Sequence, residues 1–153
     1  MFLVLARAHV HLDGPSETVT ETEYEFIARL GSQPSGLSIE DSRRILERVH
    51  LNLIAVKKGQ RIVLYIWCRQ MKELLHLNDL LTNGLLKGSV EQLFNQFLTS
   101  PKTATVKDIT MSDKEFRRWK KYFTGEQILN FKFKLYRHVC KEMLILSSHF
   151  NLL

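Results

Sequence analysis

The sequence is poor in residues that interrupt or cross-link a chain: its 153 residues include three prolines, seven glycines and two cysteines. So few prolines and glycines predict that most of the chain forms regular structure. Cys68 and Cys140 stand far apart and lack the spacing of a disulfide framework, so two reduced thiols are the simpler interpretation. The length is ordinary for one domain and too short for two full cores.

Long hydrophobic runs and common enzyme motifs are also missing. No stretch approaches the roughly 18 apolar residues of a membrane span. The apolar start has no basic region and is broken by Arg7 and His9, so we interpret it as a strand and not as a signal peptide. Glycine-rich phosphate loops, Gly-x-Ser-x-Gly, His-Glu-x-x-His and Cys-x-x-Cys are absent. We expect a cytoplasmic binding protein that is not an enzyme and has no cofactor; the oligomeric state stays open.

Metal binding and thiol chemistry are not favoured either. His9 and His11 share one face of the first predicted strand, and with His50 they offer three nitrogens for zinc. A structural zinc site takes a fourth ligand, which the pattern does not supply, so surface histidines are the favoured interpretation. Cys68 is predicted on an inward strand face, where a buried thiol is unreactive.

Hydrophobic periodicity predicts the secondary structure. The even positions from 2 to 12 are all apolar, which is typical of a half-buried strand. A capping box at 20–23 predicts a helix that ends near Gly31. Similar patterns predict helices that start at Ser38 and that span 71–81 and 89–98. A strand is predicted over 103–111, with an irregularity near Lys107-Asp108. It is followed by a helix capped by 112–115 and a last amphipathic helix over 127–146.

A β-hairpin is the clearest single signal. Residues 49–56 and 61–68 flank Lys58-Gly59, which we predict as a two-residue turn. In that register one face is uniformly apolar and consists of Leu51, Leu53 and Ala55 against Ile62, Leu64 and Ile66. The opposite face carries Ile54 and Val56 together with Val63, Tyr65 and Trp67.

This order of elements predicts an α+β fold. We expect a four-stranded antiparallel sheet in split β-α-β (ferredoxin-like) order, with helices on one face and extra C-terminal helices. Residues 1–125 would form one sandwich domain. Residues 126–153 would form a C-terminal amphipathic helix that packs on this domain or extends it.

Two surfaces are candidate partner-binding sites. The first is the strand face with Tyr65, Trp67 and Ile54, which needs either a covering helix or a partner. The second is a basic cluster on the helix after Ser112, which is either a solvated face or a surface for an acidic partner or phosphate backbone: Arg117, Arg118, Lys120 and Lys121. The net charge of +6 agrees with either anionic partner.

A family resemblance points the same way. Its residues follow one order along the chain: Val56 to Cys68, Leu74 to Leu81, Asn83-Gly-Leu-Leu86, Val90 to Phe94, then Val106 and Phe116. This order, over roughly residues 45–123, resembles the TRADD-like N-terminal domain of death-receptor and innate-immune adaptors. The resemblance implies an α/β sandwich, a role in protein–protein assembly and a TRAF-type adaptor as partner.

The predicted function is therefore a protein–protein interaction domain of an intracellular signalling adaptor, related to innate immunity or apoptosis. The alternative is a nucleic-acid-binding domain of ferredoxin-like topology. Lys58-Gly59 begins the third strand as in RNA-recognition motifs. However, Gln60 and Ile62 stand where that motif has aromatic residues, and Arg61 stands where it has a small one.

Overall fold

The computed structural model describes residues 4–32, 37–99 and 102–125. Its elements in chain order are β1 (Val4–Leu12), α1 (Ser16–Ser32), α2 (Leu37–Glu47), β2 (Asn52–Lys58), β3 (Ile62–Cys68), α3 (Met71–Thr82), α4 (Leu86–Phe97), β4 (Val106–Thr110) and α5 (Asp113–Phe123). The helix predicted over 127–146, with Cys140, lies outside the described residues. Within the described ranges, no helix combines the length and the hydrophobicity needed to cross a membrane.

The four strands form one antiparallel sheet in the order β2-β3-β1-β4. This is the split β-α-β order, so the predicted α+β fold is confirmed. β1 and β3 are central, and β2 and β4 are the two edges. β1 pairs with β3 and β4, which lie far from it in sequence, whereas β2 and β3 are joined directly by a hairpin.

One face of the sheet forms the core, as the alternation in β1 predicted. Val4, Ala6, Ala8 and Val10 are fully buried, and cross-strand partners share a face, so the inward residues of β3 are Ile62, Leu64, Ile66 and Cys68. Helices α1 to α4 supply the opposing side chains, among them Phe26, Leu46, Leu74, Leu77, Leu93 and Phe94. The rings of Phe26 and Phe94 are stacked with centroids 4.2 Å apart.

The hairpin is present, but its predicted register is wrong. Lys58 pairs with Ile62 across a three-residue turn, in which the Gly59 N–H donates to the Arg61 carbonyl at 2.9 Å. A bulge at Ile54 then shifts the pairing, so that Leu53 lies opposite Ile66. Inward residues of β2 are thus Leu53, Val56 and Lys58, and Val56 packs against the core instead of lying beside Tyr65.

A buried ion pair between Glu23 and Lys58 lies at the turn end of the β2–β3 hairpin. The side chains of Glu23 and Lys58 are 4% and 14% exposed, and Lys58 Nζ lies 3.7 Å from Glu23 Oε1. The other oxygen, Glu23 Oε2, accepts a hydrogen bond from the backbone N–H of Ile62 at 3.1 Å. Lys58 thus points inward with a partner for its buried charge, and Ile62 lies opposite Lys58 instead of opposite Ala55 as predicted.

Two predicted helix starts were placed too late. α1 begins at Ser16, and the Thr20 hydroxyl donates to the Ser16 carbonyl at 2.8 Å within the helix instead of capping it. α4 begins at Leu86, so the predicted capping box at 89–92 lies inside the helix. Strand β4 is shorter than predicted, but its expected irregularity is confirmed, because the pairing with β1 skips Lys107.

Candidate partner-binding groove

Helix α5 lies next to the outward face of the sheet. The predicted cap at 112–115 is confirmed, since the Ser112 side chain accepts a hydrogen bond from the Glu115 N–H at 3.3 Å. Past the end of the helix, Gly125 adopts a φ of +100°, which favours glycine. The side chains that pack against the core recur at helical spacing: Phe116, Trp119, Tyr122 and Phe123. This packing leaves the basic residues of α5 exposed.

A groove separates α5 from the outward face of β1. Its volume is about 720 Å³, and we call it the α5 groove, lined by Arg7 and His9 of β1 and by Lys114, Arg117, Arg118 and Lys121 of α5. Among the described residues, Glu115 is the one carboxylate in the lining. With five lysine or arginine side chains against one glutamate, the groove is strongly cationic.

An ion pair between Arg7 and Glu115 joins the two walls of the α5 groove. Arg7 Nη2 lies 3.2 Å from Glu115 Oε2, and Arg7 Nε lies 3.3 and 3.4 Å from the two carboxylate oxygens. The Glu115 side chain is 5% exposed, whereas that of Arg7 is 48% exposed. The hydrogen bond to Glu115 and its charge raise the pKa of Arg7, so the guanidinium stays charged.

A second groove of about 480 Å³ adjoins the first and shares Arg7 and His9 with it. It extends over the sheet to His11, Arg61 and Tyr65. Burial lowers the pKa of His11; Asp108 opposes this shift, and nearby cations add to it. His11 therefore adds little positive charge to this continuous surface at neutral pH.

The aromatic residues of the outward face are partly covered. Tyr65 and Trp67 are half-buried, and Trp67 Nε1 is inaccessible, with no acceptor among the described residues. Lys57 Nζ lies 5.6 Å from the centre of the Tyr65 ring, and the Arg69 guanidinium lies 5.3 Å from that of Trp67. Whether residues 126–153 cover this face, as one sequence interpretation held, concerns a segment outside the described ranges.

The structure brings together only some of the residues predicted from the sequence. Arg117, Arg118 and Lys121 line the α5 groove, and Tyr65 lines the adjoining one. Lys120 is exposed outside both linings, and Ile54 lies at the bulge of edge strand β2, 41% exposed. Trp67 is on the outward face but lines neither groove.

Sequence reasoning missed Arg7, His9 and Glu115. The alternation in β1 placed Arg7 and His9 on the outward face, but nothing local showed that α5 would lie beside them. Arg7 and Glu115 are 108 positions apart in sequence. The one signal for Glu115 is its place in the predicted cap at 112–115, which indicates a helix start and not an ion pair.

The three histidines considered as zinc ligands are not brought together, and the Cys68 thiol is buried. His50 lies near His76, with ring centres 6.3 Å apart, and away from the groove that His9 and His11 line. No group of three metal-ligating side chains occurs in the part of the chain that the structure describes.

Burial raises the pKa of Cys68 to about 12, so its thiol is protonated and unreactive at neutral pH, as expected for an inward position.

No protein-family model, curated protein or solved structure matches this chain significantly.

Proposed function

We propose that this protein is an interaction domain that binds another protein through the α5 groove and the adjoining outward face of the sheet. The observation that carries the proposal is the continuous surface of two grooves that share Arg7 and His9. Arginine and tyrosine, which are enriched in the cores of protein interfaces, both contribute to it. Binding, and not catalysis, is the proposed activity.

The proposed setting is a cytoplasmic signalling adaptor. Support comes from the resemblance of residues 45–123 to the TRADD-like N-terminal domain, which implies assembly of death-receptor or innate-immune complexes, with a TRAF-type adaptor as partner. The confirmed strand order is compatible with that proposal.

Site-specific photo-crosslinking tests the proposal. A photoreactive amino acid replaces Lys114 in the α5 groove or, as a control, Lys87 near the start of α4, and each full chain is irradiated in cell extract. We expect a protein adduct from position 114 that is absent from position 87 and is suppressed by excess unlabelled chain. Equal labelling at both positions, no protein adduct, or adducts with nucleic acid alone would contradict the proposal.

A further inference from the structure

The chemistry of the α5 groove identifies the class of partner. We propose that this groove binds an acidic peptide segment of a partner protein, with one carboxylate on the open edge of Arg7 and others beside Lys114 and Arg117. This inference rests on the proposed function, because it names the ligand of the same surface. Four steps support it: the position of Arg7, the charge and size of the groove, the state of its aromatic residues and the composition of the rest of the chain.

Arg7 is held in place before any ligand arrives. Its Nε and Nη2 atoms contact Glu115, and Glu115 Oε1 also lies 3.4 Å from Trp119 Nε1. Glu115 engages the Nε and Nη2 side of the guanidinium, Nη1 takes no part in these contacts, and the half-exposed side chain lines the groove. A fixed guanidinium loses little conformational entropy on binding, and its planar donors match a carboxylate.

Charge and size both suit a short acidic segment. Glu115 neutralises one cation, and four others around the groove remain without a carboxylate in the lining: Lys114, Arg117, Arg118 and Lys121. The volume of about 720 Å³ falls within the range of roughly 300–1,000 Å³ that is usual for ligand pockets. Complementary charge across such an interface accelerates association and selects against cationic partners.

The aromatic residues disfavour single-stranded nucleic acid. Recognition of a single strand by a sheet depends on open aromatic rings that stack on bases. Tyr65, Trp67 and Trp119 are each half-buried with a cation beside the ring, which is Lys57, Arg69 and Arg118 respectively. The outward positions of central strand β1 hold Leu5, Arg7, His9 and His11, so they present no Phe, Tyr or Trp ring.

Neither residues 126–153 nor helix α1 supplies an acidic segment of comparable charge. Residues 126–153 contain four lysines and arginines and only two glutamates. On α1, Glu25 is already bound by Arg29 and Lys102, which leaves Glu17 and Glu21 as the exposed carboxylates of that helix. A separate acidic partner therefore fits the groove better than either this segment or a second copy.

Fluorescence anisotropy with the full chain tests the inference. The probes are a labelled peptide of alternating Glu and Ala, the same peptide with Gln for Glu, and a labelled oligouridine. The test variant is Lys114→Glu/Arg117→Glu, and the matched control is Lys72→Glu/Lys87→Glu, which changes the net charge equally near the N-termini of α3 and α4 and outside the groove lining. Circular dichroism confirms that each variant is folded.

We expect the Glu peptide to bind and the Gln peptide not to bind. The groove variant should weaken the affinity roughly tenfold or more, and the control should change it by less than about threefold. Equal loss in both variants, or tighter binding of oligouridine than of the Glu peptide, would overturn the inference. So would self-association of the chain in light scattering that the groove variant abolishes, because the occupant would then be a second copy. If crosslinking at position 114 captures a protein while the Glu peptide fails to bind, the proposed function stands and this inference is wrong.

Discussion

Glu23 and Glu115 are two buried glutamates that hold cations on opposite faces of the same sheet. Glu23 holds Lys58, whose side chain is 14% exposed, and the backbone of Ile62. Glu115 holds Arg7, whose side chain is 48% exposed. The inner pair joins helix α1 to the end of the hairpin, whereas the outer pair presents a fixed guanidinium to a groove.

The comparison indicates that the exposure of the cation determines whether a buried glutamate mainly stabilises the fold or also holds a cation that a ligand can reach. When both charges are withdrawn from water, each depends on the other, and removing one leaves an uncompensated charge inside the protein. When the cation stays in contact with water, its loss of solvation is smaller, and its remaining donors can bind a ligand. The same chemistry thus joins α1 to the hairpin on one face and, in the function we propose, contributes to a binding site on the other.

The largest effect should come from Glu23→Gln, which breaks the inner pair. The change leaves Lys58 charged and largely buried, although the amide oxygen can still accept from Ile62. We expect the free energy of unfolding to fall by about 2–3 kcal/mol, measured by urea denaturation. The double variant Glu23→Gln/Lys58→Met should recover part of this loss, because the unpaired charge is gone. A double variant less stable than Glu23→Gln would contradict this reading of the pair.

A smaller effect is expected from Glu115→Gln on the outer face. Because Arg7 is half-exposed and remains solvated, the free energy of unfolding should fall by about 1 kcal/mol or less. The same urea titration measures it, with Glu23→Gln as the direct comparison. If Glu115→Gln and Glu23→Gln lower the free energy of unfolding equally, the exposure of the cation does not determine how much each ion pair stabilises the fold.

The smallest effect on stability is expected for a third glutamate, Glu25 on α1. A hydrogen bond from Thr99 and contact with Lys102 lower its pKa to about 2 from an ordinary value near 4.5. Because the folded-state pKa is lowered, this contribution to stability is present above about pH 4.5 and is lost as the pH falls towards 2. Glu25→Gln should flatten the pH dependence of urea unfolding within that window. An unchanged pH profile would contradict the assignment.

The sequence predicted well what depends on neighbours along the chain. The alternation in β1 predicted the buried face, and the cap at 112–115 predicted the start of α5, because both patterns are local. The strand order also followed, since the succession of strands and helices allows few antiparallel arrangements. The unreactive setting of Cys68 followed from its inward position in β3.

The hairpin register and the α5 groove could not be predicted, because both involve contacts between residues that are distant in sequence. In the observed hairpin register Lys58 points inward to Glu23, and no local rule indicates that orientation. The α5 groove follows from the approach of Glu115 to Arg7 across the sheet. The basic cluster of α5 was predicted from composition, but which of its residues share a groove became clear only from the packing of Trp119 and Phe123.

The central claim is that partner binding occurs on the outward face and α5. Amide hydrogen exchange of the full chain, with and without the partner captured by crosslinking, tests this most directly. The account predicts slower exchange on binding in β1 and α5, and unchanged exchange in α1, α2 and α4. Protection confined to those three helices would contradict it.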